Sequence, residues 1–171
     1  LISCTGSSGI YRPVMRKCLA LCDEYAYIKK MDTAAIILAA GQGTRLKSAL
    51  PKPLHRIGGR PMLAWSLDAA TAANAARIVI VLPCASEQIQ HWLDGIEFCI
   101  QDAPRGTGHA ALAAAPALKD FDGVAVIMFA DTPLVTASTL SRLAASVDDH
   151  TSLAVLGFET ADPTGYGRLV I

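Results

Sequence analysis

A chain of 171 residues in which 52% are apolar and 18% charged suits a single globular domain with a sizeable core. The formal net charge is zero but unevenly placed. Residues 1–30 carry five Lys/Arg against two Asp/Glu and residues 31–171 carry ten against thirteen, so the slightly acidic main body argues against a nucleic-acid-binding surface. No apolar run approaches the ~18 residues of a membrane span, and five cysteines without a regular framework suit a reducing compartment, which points to a cytoplasmic protein.

The first thirty residues, LISCTGSSGIYRPVMRKCLALCDEYAYIKK, open on leucine and lack the long apolar stretch and cleavage site of a secretory signal. They read as an N-terminal extension, with Met31 as the natural start of a domain over 31–171 and a short helix around Arg16 to Tyr25. Cys18 and Cys22 share a helical spacing, yet no second pair or nearby histidine completes a four-ligand metal set. Cys84 and Cys99 read as small apolar residues at or near strand ends, and the four histidines are scattered.

The apolar run Ala35-Ile36-Ile37-Leu38 predicts a buried strand, and Gly41-Gln42-Gly43-Thr44-Arg45 turns off its carboxyl end, where an open α/β sheet places its ligand. Gly41 and Gly43 let backbone approach an anion, while Arg45 and Lys52 add positive charge. A dinucleotide fingerprint needs a third glycine where Leu46 stands, and a Walker loop needs a Gly-Lys-Ser/Thr that occurs nowhere. Lys52 lies between Pro51 and Pro53, which hold it on a stiff, extended segment. These residues call for a polyphosphate.

Further strands are expected at Ile78 to Leu82, Glu97 to Gln101, Val124 to Ala130 and Leu153 to Phe158, separated by alanine-rich or amphipathic segments. The alternation predicts an α/β fold, Rossmann-like, with a mainly parallel sheet and helices on both faces. Pro61 suits the first turn of a helix running to about Ala76, and Thr136 suits the cap of one whose Leu140, Leu143, Ala144 and Val147 form a core-facing stripe.

Three later stretches carry candidate chemistry. Gln101, at a strand end before Gly106-Thr107-Gly108-His109, offers an amide donor and acceptor that match the edge of a uracil, although the stretch also fits a plain helix-entry turn. Arg105 and His109 read as solvated loop and helix residues. Asp131, just past the apolar strand ending Phe129-Ala130, is either a turn residue or a metal ligand. Gly165-Tyr166-Gly167 leaves main chain open to a ligand, or makes a tight turn entering the next strand.

Taken together, Leu38-Ala-Ala-Gly-Gln-Gly-Thr-Arg-Leu46, Leu50-Pro-Lys-Pro-Leu-His55, Gly58-Gly-Arg-Pro-Met62, Gln101…Gly106-Thr-Gly-His-Ala110 and Asp131-Thr-Pro-Leu134 resemble the sugar-1-phosphate nucleotidyltransferases, in particular the uridyltransferase half of the bifunctional enzymes that make UDP-N-acetylglucosamine. The resemblance runs from about Ala34 to Ile171. It implies that Leu38, Ala39, Ala40, Gly41, Gly43 and Lys52 contact UTP, that Gln101, Gly106 and Thr107 hold the base, and that Phe129, Ala130 and Asp131 contact the substrates. Asp131 would hold Mg²⁺, Gly167 would lie nearest the sugar, and Arg45 and Lys52 would be catalytic. The substrates would be UTP and N-acetylglucosamine 1-phosphate, with no nucleic acid or membrane partner and room for a homo-oligomer in a full-length parent. The chain departs from the family at Ala130, typically glycine, where a methyl is expected to crowd the nucleotide. It also reads as the N-terminal part of the domain: later sugar-binding residues, a second magnesium ligand and the acetyltransferase β-helix would lie beyond Ile171, so a fragment inactive by itself is expected. Two other readings stand beside this one: a nucleotidyltransferase for a different base or sugar, such as a thymidylyltransferase or a molybdenum-cofactor guanylyltransferase-like protein, and a non-catalytic nucleotide-binding module.

Overall fold

Isoleucine, leucine and alanine in unbroken sequence bury both faces of a strand, and the centre of the sheet is where such a strand fits. In the computed structural model, which describes residues 31–41, 43, 46–83, 87–90, 92–93 and 95–167, β1 (Asp32–Leu38) takes that place. It is followed by a single 3₁₀ turn (Lys52–Leu54), a short hairpin of β2 (Arg56–Ile57) and β3 (Arg60–Pro61), helix α1 (Met62–Ala72) and β4 (Arg77–Leu82). Then come α2 (Glu87–Gln90), β5 (Glu97–Ile100), α3 (Thr107–Ala113), β6 (Gly123–Phe129) and α4 (Ala137–Ala144). The four-stranded sheet runs β5-β4-β1-β6, every pair parallel. The chain thus builds outward from β1 through β4 to β5, then returns to add β6 on the other side.

Alternate residues feed two cores. Ile37, Ile80, Leu82, Val126 and Met128 meet Leu63, Ala69 and Ala70 of α1, Ile89 of α2 and Leu140 of α4 on one face. Ile36, Leu38, Val79 and Val81 meet Ala110 of α3 and Ala114 on the other. This agrees with the expected Rossmann-like sheet covered on both faces. The expected stripe on α4 is also found: Leu140 is buried, with Leu143, Ala144 and Val147 packed against the first core. Thr136 caps the helix, accepting from the Thr139 N–H at 3.3 Å.

Two expectations need correction. Helix α1 stops at Ala72 instead of reaching Ala76, because Asn74 turns left-handed (φ 56°) and the Ala75 N–H returns to the Ala70 carbonyl while the Asn74 N–H returns to Thr71. Those two bonds satisfy the last carbonyls and end the helix. Leu153 to Phe158 is not a strand. A short apolar run becomes a strand only where a ladder takes it up. Here Leu153, Val155, Leu156 and Phe158 all remain exposed, and the segment joins no sheet among the described residues. The helix expected around Arg16 to Tyr25, and Cys18, Cys22 and Cys84, lie outside the described residues. Cys99 is a half-buried residue of β5, and burial, then the charge of Glu97, push its thiol above the ordinary range. It is a packing residue, not a nucleophile.

The join of β1 and β6 is tight at its start. Any Cβ on Gly123 would fall on the Asp32 carbonyl oxygen and lie 2.9 Å from the Phe121 ring. Gly123→Ala should therefore cost about 1–3 kcal/mol as overpacking, and Thr136→Ala about 1 kcal/mol as a lost cap. Urea unfolding measures both; an unchanged midpoint for Gly123→Ala would contradict this packing.

Candidate functional site

Three backbone bonds carry the ladder one residue past the strands: Ala39 N–H to Val81 O (2.8 Å), Gln101 N–H to Leu82 O (2.8 Å) and Ala130 N–H to Leu38 O (3.0 Å). They align the carboxyl ends of β1, β5 and β6 along one rim. Strand order reverses at β1, and the crevice outside such a reversal is where open α/β sheets bind ligands. A cavity of about 410 Å³ lies there, lined by Leu38, Ala39, Ala40, Gly41, Gly43, Lys52, Gln101, Gly106, Thr107, Phe129, Ala130 and Asp131, together with Pro53, Pro104 and Ala110. Twelve of the thirteen residues expected to contact substrate thus line one cavity. Gly167 is exposed and is not among the lining residues. Arg45 lies outside the described residues.

Lys52 is held by its neighbours. Pro51 is extended (φ −52°, ψ 136°), the Leu54 N–H bonds the Pro51 carbonyl at 2.9 Å, and Leu54 is anchored in the core. The His55 ring donates from Nε2 to the Leu50 carbonyl (3.1 Å), and the Met62 N–H bonds the His55 carbonyl (2.9 Å), which ties this segment to the start of α1. Gly43 turns left-handed (φ 60°), and a Cβ there would stand 2.8 Å from the Lys52 Cβ, so glycine is required both for the turn and for the lysine's position.

Asp131 is fixed from the opposite side. The buried Ser66 hydroxyl of α1 donates to the Phe129 carbonyl (3.4 Å), and the Thr132 hydroxyl donates to the same oxygen (2.9 Å), bracketing the turn that carries the aspartate. Lys52 Nζ and Asp131 Oδ2, 79 residues apart, form an ion pair in the cavity. The two side chains are 33% and 38% exposed, and a pair so accessible is worth only about 0–1 kcal/mol. A polyanionic ligand can therefore take the lysine from the aspartate at small cost. Ala130 lines the cavity but also belongs to the buried cluster facing α1, so its methyl is shared with the core.

Gln101 is 6% exposed, and its side-chain nitrogen donates to the Gly106 carbonyl (3.3 Å) and faces His109 Nδ1 at 3.1 Å. This revises two sequence-based expectations. His109 is not a merely solvated helix residue but a partner of Gln101, and the glutamine's amide nitrogen is used within the protein. Arg105 is exposed, as expected. Sequence reasoning did not select Pro53, Pro104 or Ala110 as cavity walls, although all three stand within the stretches it singled out. The Asp162-Pro163-Thr164 loop is ordered by its own turn: the Thr164 hydroxyl and then its N–H, 3.0 Å from Oδ1, hold the Asp162 carboxyl below the usual carboxylate range. Tyr166 stacks edge-on against Phe158 at 5.0 Å.

A strand-end cavity with a glycine turn, a fixed lysine and an opposed aspartate defines a nucleotide-binding α/β domain. The model of the MobA-like NTP transferase domain matches residues 35–168, and the chain belongs to that family. Among curated relatives, the bifunctional protein GlmU of Maricaulis maris is 48% identical over 139 residues, covering 80% of this chain and 31% of the relative. GlmU of Caulobacter vibrioides is 48% identical over 142 residues, covering 81% and 31%. The chain thus spans about a third of the length of these relatives. In structure it is similar to Rv0371c of Mycobacterium tuberculosis (TM-score 0.53, 26% identity, 68% of this chain and 60% of that one). It shares its fold with a nucleotidyl transferase of Methanothermobacter thermautotroptrophicus (TM-score 0.56, 20% identity, 68% and 58%).

The Gly43 turn gives this site a direct test. Gly43→Ala must relieve strain of about 1–3 kcal/mol by moving the loop or Lys52. The affinity for a nucleoside triphosphate, measured by isothermal titration, should fall on the order of tenfold. Gly41→Ala, where a Cβ meets nothing within 4 Å, should leave the unfolding midpoint unchanged.

Proposed function

We propose that the chain is the nucleotide-binding part of a uridylyltransferase that joins UTP and N-acetylglucosamine 1-phosphate into UDP-N-acetylglucosamine and pyrophosphate. The observation that carries this reading is the meeting of Lys52 and Asp131 in a cavity whose other wall is Gln101. One end of that cavity suits a triphosphate and the other a base. The sequence likeness to GlmU, together with the resemblance of the Gln101 to Ala110 stretch to the uridyltransferases, favours uracil and an N-acetylated sugar over the other bases and sugars.

In this reading the triphosphate lies along Gly41 and Gly43 and draws Lys52 away from Asp131. A phosphate oxygen of the sugar phosphate attacks the α-phosphorus of UTP in line, forming the new P–O bond as the bond to the β-phosphate oxygen breaks and pyrophosphate leaves. The attacking oxygen is already anionic, so no general base is needed, and catalysis is positioning and charge neutralisation. Lys52 and Arg45 neutralise charge on the triphosphate and the departing pyrophosphate. Gln101 and the backbone at Gly106 and Thr107 hold the base.

Asp131 facing a triphosphate would be two anions in contact, which calls for a cation between them. Among the described residues no three His, Cys, Asp or Glu are grouped to hold a metal. A single carboxylate fits Mg²⁺, which keeps several waters and takes its remaining oxygens from phosphates. When bound, Mg²⁺ would neutralise phosphate charge and orient the triphosphate. Asp131 is the residue that would hold it.

In a chain comprising the whole catalytic domain, Lys52→Ala should lower kcat about a hundredfold with circular dichroism unchanged. Arg45→Lys should recover only part of what Arg45→Ala loses, because an ammonium lacks the planar fork of donors. Asp131→Asn should move the Mg²⁺ dependence of pyrophosphate release to much higher concentration, and an unchanged magnesium titration would leave Asp131 a turn residue. Titration of UTP, CTP and GTP into the chain separates the uridylyl reading from other nucleotidyltransferases, and equal affinity for all three would overturn it.

A further inference from the structure

We propose that His109, with Asp102 behind it, is a positioning residue that fixes which face of the Gln101 amide meets the base and so sets the preference for a pyrimidine carrying a ring N–H. This rests on the reading of the cavity as a uridylyl site. It deepens that reading by assigning the selectivity to a residue outside the cavity lining.

The argument follows from what each atom can do. A backbone carbonyl only accepts, so the group of Gln101 that faces Gly106 O at 3.3 Å has to be the NH₂. The same carbonyl takes the Ala110 N–H at 3.1 Å, using its two lone pairs. The second amide hydrogen points to His109 Nδ1 at 3.1 Å, and that nitrogen must then present a lone pair. The imidazole proton consequently sits on Nε2, on the side of Asp102 Oδ1, 3.5 Å away, where a carboxylate favours it. The chain Asp102, His109, Gln101, Gly106 has one consistent pattern of protons. Both amide hydrogens are consumed, and among the described residues Oε1 accepts no hydrogen bond.

In a residue that is 6% exposed and lines the cavity, an amide so held offers the ligand an acceptor and nothing else. The N3–H of a uracil satisfies it. Cytosine presents a lone pair at N3, so two acceptors would oppose each other. Polar sites of this kind discriminate strongly, because the mismatched partner leaves a buried group unpaired. Without the imidazole lone pair, only the shared Gly106 carbonyl would resist rotation of the amide.

Affinities of UTP and CTP for the 171-residue chain, measured by titration calorimetry with Mg²⁺ present, test this. His109→Leu removes the acceptor and should lower the UTP-to-CTP affinity ratio about tenfold. His109→Asn places an amide oxygen near the position of Nδ1 and should keep the ratio within about threefold of the unsubstituted chain. A uniform loss of both nucleotides in His109→Leu, with His109→Asn no better, would make the histidine merely structural and overturn the proposal. Ring ¹⁵N shifts of His109 in the unsubstituted chain give a reading independent of any variant's folding: the Nε2–H tautomer is expected, and the Nδ1–H tautomer would overturn it. A chain with no preference for UTP over CTP would overturn the uridylyl reading itself. A preference that survives His109→Leu would overturn this one alone.

Discussion

The parallel register that seats β1 between β4 and β6 controls everything at the site. Leu38 pairs with Val81 on one side and with Phe129 on the other, so the turns leaving β1 and β6 emerge side by side at one rim. A one-residue slip of β6 would exchange its buried Val126 and Met128 for Ile127 and Phe129. It would also carry Asp131 away from Lys52. The apolar cores therefore fix the register, and the register fixes the charges.

The charges themselves contribute little to the fold. Lys52 and Asp131 are accessible enough that their attraction is screened, and the positions they hold come from elsewhere: the proline-bracketed turn on one side, the Ser66 and Thr132 hydroxyls on the other. A site built this way is ordered before ligand arrives, yet its ion pair is readily exchanged for stronger contacts with phosphate. Preorganised charge is what phosphoryl-group chemistry requires, since there is little for the protein to do beyond positioning and neutralising.

Much of this was legible in the amino-acid sequence, for physical reasons. Ala35 to Leu38 followed by Gly41 and Gly43 marks a buried strand and the turn that leaves it, and the strands at Ile78, Glu97 and Val124 are likewise written in apolar runs bounded by breakers. Leu153 to Phe158 has the same local signature but joins no sheet here, because pairing depends on a neighbour that a local pattern does not contain. The end of α1 was missed because alanines continue past it; only the left-handed Asn74 stops the helix. That Gln101 stands at a strand end facing the cavity was recognisable, but not the direction of its amide. That direction is set by the Gly106 carbonyl and by His109, eight residues away in the first turn of the next helix.

The central claim is that the crevice between the ends of β1 and β6 holds a nucleoside triphosphate. Backbone amide shifts followed by NMR during titration with UTP and Mg²⁺ address it most directly. The account predicts that the largest changes fall on Gly41, Gly43, Lys52, Gln101, Gly106, Thr107 and Asp131 together. Changes centred elsewhere, for example on the exposed 153–158 segment with the cavity residues unmoved, would contradict it.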